Sequence, residues 1–134
     1  MKAEILATGD EIRTGTVLDT NSAYIARRLE AMGVEVTRQN CVGDDIHDLV
    51  SILSEIGQRA QIAIVTGGLG PTPDDISALA AARATGVKLV LNDTALQSVE
   101  RFFDKRRRLY SESNKKQARL PIGACLLYTS DAAD

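Results

Sequence analysis

Tryptophan is absent from these 134 residues, and aromatic side chains make up only 4% of them. A core without large rings must be built from Leu, Ile, Val and Ala, which suits helices packed on a parallel sheet. The same shortage argues against a base-stacking platform for single-stranded nucleic acid. Histidine occurs once, at His47, and cysteine twice, at Cys41 and Cys125, with no CxxC metal or redox spacing. Free thiols in a reducing compartment are then the default. No apolar run approaches membrane-spanning length, and the N-terminus reaches acidic residues before any stretch long enough for a signal peptide. A cytoplasmic protein without a membrane partner is therefore expected. The formal net charge of -2 gives no whole-domain attraction to phosphate backbones, so no nucleic-acid partner is expected and any anion site must be local.

What is present is 44% hydrophobic and 25% charged residues, enough for one buried core and too few residues for two ordinary domains. Ala3 to Thr8 reads as a short buried strand closed by Gly9, followed by a loop to Asp19. Thr20 or Asn21 caps a helix through Met32, whose stripe is Ala23, Ile25, Ala26, Leu29 and Met32. Val34 to Val42 alternates as a second strand, and Gly43-Asp44-Asp45 leads into a helix with Leu49, Ile52, Leu53 and Ile56 inward. Ile62-Ala63-Ile64-Val65 is continuously apolar and short, which predicts the central strand of the sheet. A helix from Asp74 or Asp75 to Thr85, a strand Val87 to Leu91, a longer helix capped by Asn92 or Asp93, and a short helix from Ser111 or Ser113 complete the order. Strand and helix alternating at short connections predict right-handed crossovers, a mostly parallel sheet and helices on both faces. The last ten residues, 125–134, continue no pattern and resemble the translation of a transposase adapter used in sequencing libraries. The expected division is a domain over 1–124, incomplete at its C-terminal end, and a non-native tail.

The segment richest in chemistry is Gly67-Gly68-Leu69-Gly70-Pro71-Thr72-Pro73-Asp74-Asp75, which is neither a P-loop nor GxGxxG. Its three glycines permit close backbone approach to a ligand, and the following helix start offers unpaired N–H groups to an anion. Two carboxylates there would repel a bare phosphate, and a divalent cation such as Mg²⁺ between Asp74 or Asp75 and phosphate oxygens restores consistency. The plainer alternative is a Gly-rich turn with an Asp N-cap. Three strand ends are acidic, at Asp10-Glu11, Asp44-Asp45 and Asp74-Asp75. Carboxylates from separate loops, Glu11 among them, can therefore meet around a metal. Asp44 and Asp45 also read as a helix cap supported by Asp48. His47 reads as a surface residue, Cys41 as a small buried hydrophobe and Lys105 to Arg108 as a solvated face. Lys115 and Lys116 beside Ser113-Asn114 are either phosphate ligands or surface lysines.

Thr8-Gly9-Asp10-Glu11, Asp19-Thr20-Asn21, Val42-Gly43-Asp44, Gly67 to Asp75 and Ser113-Asn114-Lys115-Lys116-Gln117-Ala118 occur here in the order found in the N-terminal domain of the CinA competence/damage-inducible family. Residues 1 to about 124 resemble it, and that domain is similar to the MoaB/MogA molybdopterin-binding domains. The resemblance implies a three-layer α/β/α fold and a metal-dependent pyrophosphatase acting on ADP-ribose or a similar nucleotide diphosphate sugar. It needs a divalent metal and no organic cofactor. Two alternatives stand beside it: a molybdopterin-binding or adenylylating domain, and a regulatory interaction module linked to competence or DNA damage. It further implies a reaction centre of Asp44, Asp45, Asp74 and Asp75, with metal at Asp74, Asp75 and Glu11. Gly67, Gly68, Gly70 and Thr72 would hold phosphate, and Asp10, Asn21, Lys115 and Lys116 would line the rest. The expected partner is a small nucleotide or pterin phosphate, and the expected assembly a homo-oligomer.

Overall fold

The computed structural model describes residues 1–127, so most of the suspected tail, from 128 on, lies outside the described residues. Three strands, β1 (Lys2–Thr8), β2 (Glu35–Val42) and β3 (Ile62–Thr66), form a parallel sheet in the order β2-β1-β3. The order corrects the expectation that Ile62 to Val65 is central. The middle strand is β1, because both crossovers begin or pass beside it, and continuous apolarity does not distinguish a middle strand from its neighbour. Lys2 to Thr8 accordingly carries six consecutive buried residues.

Alternation along β1 sends its side chains to two layers. Ala3, Ile5 and Ala7 are essentially inaccessible on the face against which α2 (Thr20–Ala31) packs. Leu6 lies on the opposite face with Leu49 and Ile56 of α3 (Ile46–Arg59) and Ala80 of α4 (Ser77–Thr85), joined by Val42, Val65 and Ile76. The result is the α/β/α layering that right-handed crossovers impose when the chain winds first to one side of β1 and then to the other.

Several boundaries differ from the sequence reading. The loop after β1 contains a helical turn, α1 (Asp10–Arg13). The cap of α2 is Asp19, whose carboxylate accepts from the Ser22 N–H at 3.0 Å, and neither Thr20 nor Asn21 performs that task. Helix α4 begins at Ser77, after Asp74 and Asp75, because Asp75 is turned back into its own loop. Past Gly86, which closes α4 with φ +71°, β4 (Leu89–Leu91) pairs antiparallel with β5 (Arg119–Pro121), separately from the three-stranded sheet. Between them lie α5 (Asp93–Lys105), capped by Asn92, and a 3₁₀ helix (Glu112–Ala118) whose Ser111 and Asn114 form a capping box. No helix among the described residues is long and apolar enough to cross a membrane.

Candidate functional site

The register fixes where the loops meet. Thr8 is level with Val42 and Ala7 with Thr66, so all three parallel strands end together and their following loops share one rim. The Gly9 N–H donates to the Val42 carbonyl at 3.1 Å, which fastens the first loop to the end of the neighbouring strand.

On the β3 side, the chain turns through two glycines with positive φ, +97° at Gly67 and +66° at Gly68. A Cβ on Gly67 would stand 2.5 Å from the Thr8 carbonyl oxygen, and one on Gly68 would strike the Ser77 hydroxyl. The glycines thus serve the close passage of the loop over the end of β1 as well as any approach to a ligand. The Ser77 hydroxyl donates to the Gly67 carbonyl at 2.8 Å and lies 3.5 Å from the Thr8 hydroxyl. Both residues are buried polar groups that sequence reasoning passed over, since a Ser two residues after an Asp pair reads as a cap.

Asp75 organises the remainder of the loop. Its Oδ2 accepts from the Thr72 hydroxyl at 2.7 Å and from the Thr72 N–H at 2.9 Å. The Thr72 hydroxyl, ahead of every other influence, holds the Asp75 carboxyl below its ordinary range. Partial burial opposes this, while the Thr72 and Gly70 N–H groups and Lys116 reinforce it. Lys116 donates its ammonium to the Thr72 carbonyl, so the 3₁₀ helix is tied to the Gly loop. The neighbouring Lys115 pairs instead with Glu112 at 3.0 Å, away from that loop. A cavity of about 440 Å³ runs past Gly68, Gly70, Asp75, Lys116 and Gln117 onto the apolar side chains of α4, β4 and β5.

A second, smaller hollow of about 150 Å³ lies between the ends of β1 and β3, lined by Thr8, Glu11, Asp19, Asn21, Thr66 and Gly67. The Asn21 amide donates to the Thr66 hydroxyl at 3.3 Å. On the β2 side, Asp10 and Asp44 face each other reciprocally. The Asp10 N–H donates to Asp44 Oδ2 and the Asp44 N–H to Asp10 Oδ1, each at 3.2 Å. Arg13 joins them with its Nε 3.4 Å from Asp10 Oδ1. Asp45 points away into α3, where it caps the helix by accepting from the His47 and Asp48 N–H groups at 2.9 and 3.0 Å. Asp74 is exposed on the turn. Cys41, expected to be buried, is exposed near the same rim, because β2 is a sheet edge there.

The carboxylates therefore divide into separate groups: Asp10 with Asp44, Glu11 with Asp19, and Asp75 within its loop. Among the described residues no three His, Cys, Asp or Glu side chains converge to hold an ion, so Glu11, Asp74 and Asp75 are not brought together. The Asp10 and Asp44 pair fits a different arrangement, in which Mg²⁺ takes one or two carboxylates and completes its shell with phosphate oxygens and water.

A family model described as "Probable molybdopterin binding domain" matches residues 4–131. A CinA-like protein of Desulfosudis oleivorans is 52% identical over 124 residues, covering 92% of this chain and 30% of that protein. A CinA-like protein of Escherichia coli (strain K12 / DH10B) is 50% identical over 124 residues, with 92% and 31% covered. The chain thus spans about a third of the length of these curated relatives. Among solved structures, the protein CinA with unknown function from Thermoplasma acidophilum superposes with a TM-score of 0.85 at 26% identity, over 91% of this chain and 71% of that one. The tungsten cofactor synthesizing protein MoaB from Pyrococcus furiosus shares the fold, with a TM-score of 0.58 at 20% identity over 78% and 63% of the two chains.

Proposed function

The chain belongs to the probable molybdopterin-binding domain family and is related to CinA-like proteins, and from that premise we propose that it binds a phosphorylated heterocyclic small molecule, a nucleotide or a pterin, at the rim formed by the ends of β1, β2 and β3. The observation that carries this reading is the Gly67 to Thr72 loop, held open over the strand ends by Asp75 and approached by the Lys116 ammonium. Ligands of open parallel sheets occupy this end, where loops from neighbouring strands converge. A backbone turn through glycines with an ammonium beside it suits a phosphate group.

Titration of the chain with AMP, ADP-ribose and a pterin phosphate, followed by calorimetry, tests the reading. Binding of at least one of them is expected, and Lys116→Ala should weaken it roughly tenfold, the loss of about 1.4 kcal/mol that one charge-assisted contact supplies. Equal affinity of wild type and variant would count against the loop as the phosphate seat. The same variant loses the tie to the Thr72 carbonyl, so Lys116→Arg, which keeps a donor, serves as the control.

A second reading, hydrolysis of a diphosphate such as that of ADP-ribose, is favoured by the facing Asp10 and Asp44. In this reading the pair would hold a divalent cation, and the ion would supply charge neutralisation to the diphosphate. Asp75 positions Thr72 and the Gly loop, Asp45 holds the start of α3, and neither is free as a base while so engaged. AMP release from ADP-ribose with and without Mg²⁺ decides between turnover and binding alone. Binding without release in both conditions would leave the molybdopterin-type reading in possession of the site.

A further inference from the structure

We propose that Arg13 is a phosphate-binding residue that extends the site across β1 toward β2, so that the preferred ligand carries a second anionic group beyond the one seated on the Gly67 to Thr72 loop, as a linked diphosphate does. The inference rests on the reading that a phosphorylated ligand occupies this rim.

Arg13 is placed by backbone, not by chance of rotamer. Its N–H donates to the Gly9 carbonyl at 3.0 Å, closing the α1 turn, and Gly9 is itself bonded to the last residue of β2. The three-residue spacing from Asp10 then brings the two side chains onto one face of the turn. Asp10 Oδ1 receives both Arg13 Nε at 3.4 Å and the Asp44 N–H at 3.2 Å, so the guanidinium is pinned through one nitrogen to a carboxylate that is itself pinned. Gly43 is buried beneath this arrangement, and a Cβ there would come within 2.8 Å of Arg13 Nε. The guanidinium therefore lies against the end of β2.

What remains of Arg13 is its outer edge. Among the described residues its Nη nitrogens have no hydrogen bond or ion pair, and the side chain is 54% exposed. A guanidinium held by Nε with its terminal donors presented to solvent is arranged for two parallel bonds to a phosphate or carboxylate. The electrostatics point the same way. Asp10 and Asp44 would repel an anion on this flank, and Arg13 is the cation that offsets them. Lys116 stands on the other flank at Thr72, and the order β2-β1-β3 puts β1 between the two cations. A single phosphate on the loop has Lys116 as its cation. A second phosphate linked to it and directed over β1 meets Arg13.

The test compares ADP-ribose, with two linked phosphates, and AMP, with one, by titration without divalent cation at low ionic strength. Wild type, Arg13→Ala and Arg13→Lys are measured in the full chain. Wild type is expected to favour ADP-ribose, Arg13→Ala to lose roughly tenfold in ADP-ribose affinity with AMP affinity and thermal midpoint unchanged, and Arg13→Lys to recover part of that loss, since an ammonium keeps the charge without the fork. If wild type binds neither ligand, the functional reading falls and this inference with it. If wild type binds ADP-ribose and Arg13→Ala binds it equally well, the inference alone is overturned. A variant that loses both ligands together with a lowered midpoint would show Arg13 to be only a brace for Asp10.

Discussion

Arg59→Ala is expected to destabilise the domain by about 3–5 kcal/mol, the cost of leaving a buried carboxylate without its partner. Glu4 projects from the middle strand and is 1% exposed. It accepts from Arg59 Nε at 2.6 Å, from Arg59 Nη2 at 3.0 Å and from the Asn40 amide at 3.0 Å. The Arg59 hydrogen bonds lower the Glu4 pKa below its model value of 4.5, against the opposing effect of burial. Because the folded value lies below the unfolded one, the pair's contribution is fully present above about pH 4.5 and is lost as the pH falls through the folded pKa.

Without Arg59 the sign reverses. Burial then dominates and raises the folded pKa above the unfolded one, so the variant is least destabilised in acid and most at neutral pH. Urea denaturation of wild type and variant between pH 4 and pH 7.5 checks both the size and the inverted slope. A loss below about 1 kcal/mol that does not change with pH would mean that water reaches Glu4 and that the ion pair is in effect a surface one. Replacing both partners by leucine should recover much of the loss, since the uncompensated charge is removed with its partner. The bond from Arg59 to Glu55 adds little, as Glu55 is exposed.

Gly67→Ala carries the second large effect, about 3 kcal/mol, and should abolish ligand binding with it. Two costs combine: a non-glycine residue at φ +97°, roughly 1–3 kcal/mol, and an overlap of comparable size with its surroundings. The obstacle is a backbone carbonyl, Thr8 O at 2.5 Å, with the Thr8 hydroxyl at 2.7 Å. Neither can step aside, because Thr8 ends a strand bonded on both edges. Gly86→Ala is the informative comparison. That glycine has φ +71° and open space where the Cβ would go, so only the backbone cost of about 1 kcal/mol applies. Equal urea midpoints for the two variants would show that the loop yields and that the crowding at Thr8 is not a constraint.

The alternation of strands and helices was legible in the sequence because the apolar periods are clean over α2, α3 and α5, and the layering followed from crossover handedness. Strand order was not, since Ile62 to Val65 and Ala3 to Thr8 are equally apolar and only the topology decides which is flanked. At the site, the Gly67 to Asp75 segment announced itself, yet the division of labour inside it did not. Asp75 looked like a cap or a metal ligand and is turned onto Thr72, a choice set by two hydrogen bonds that spacing alone does not distinguish from a cap. The Asp10 and Asp44 pairing depends on α1, a four-residue turn too short to leave a periodic signal. Arg13 was invisible for the same reason.

The central position of β1 also dictates an order of events. Its partner on one side, β3, is reached only after 59 residues of intervening chain, as between Lys2 and Gln61. No contact across that edge can form until a long loop has closed, and closing it costs entropy before any burial repays it. Until then Glu4 is hydrated and Arg59 is distant. Burial of the carboxylate and arrival of its guanidinium are therefore one step, and the folding rate, more than the unfolding rate, should register the loss of either.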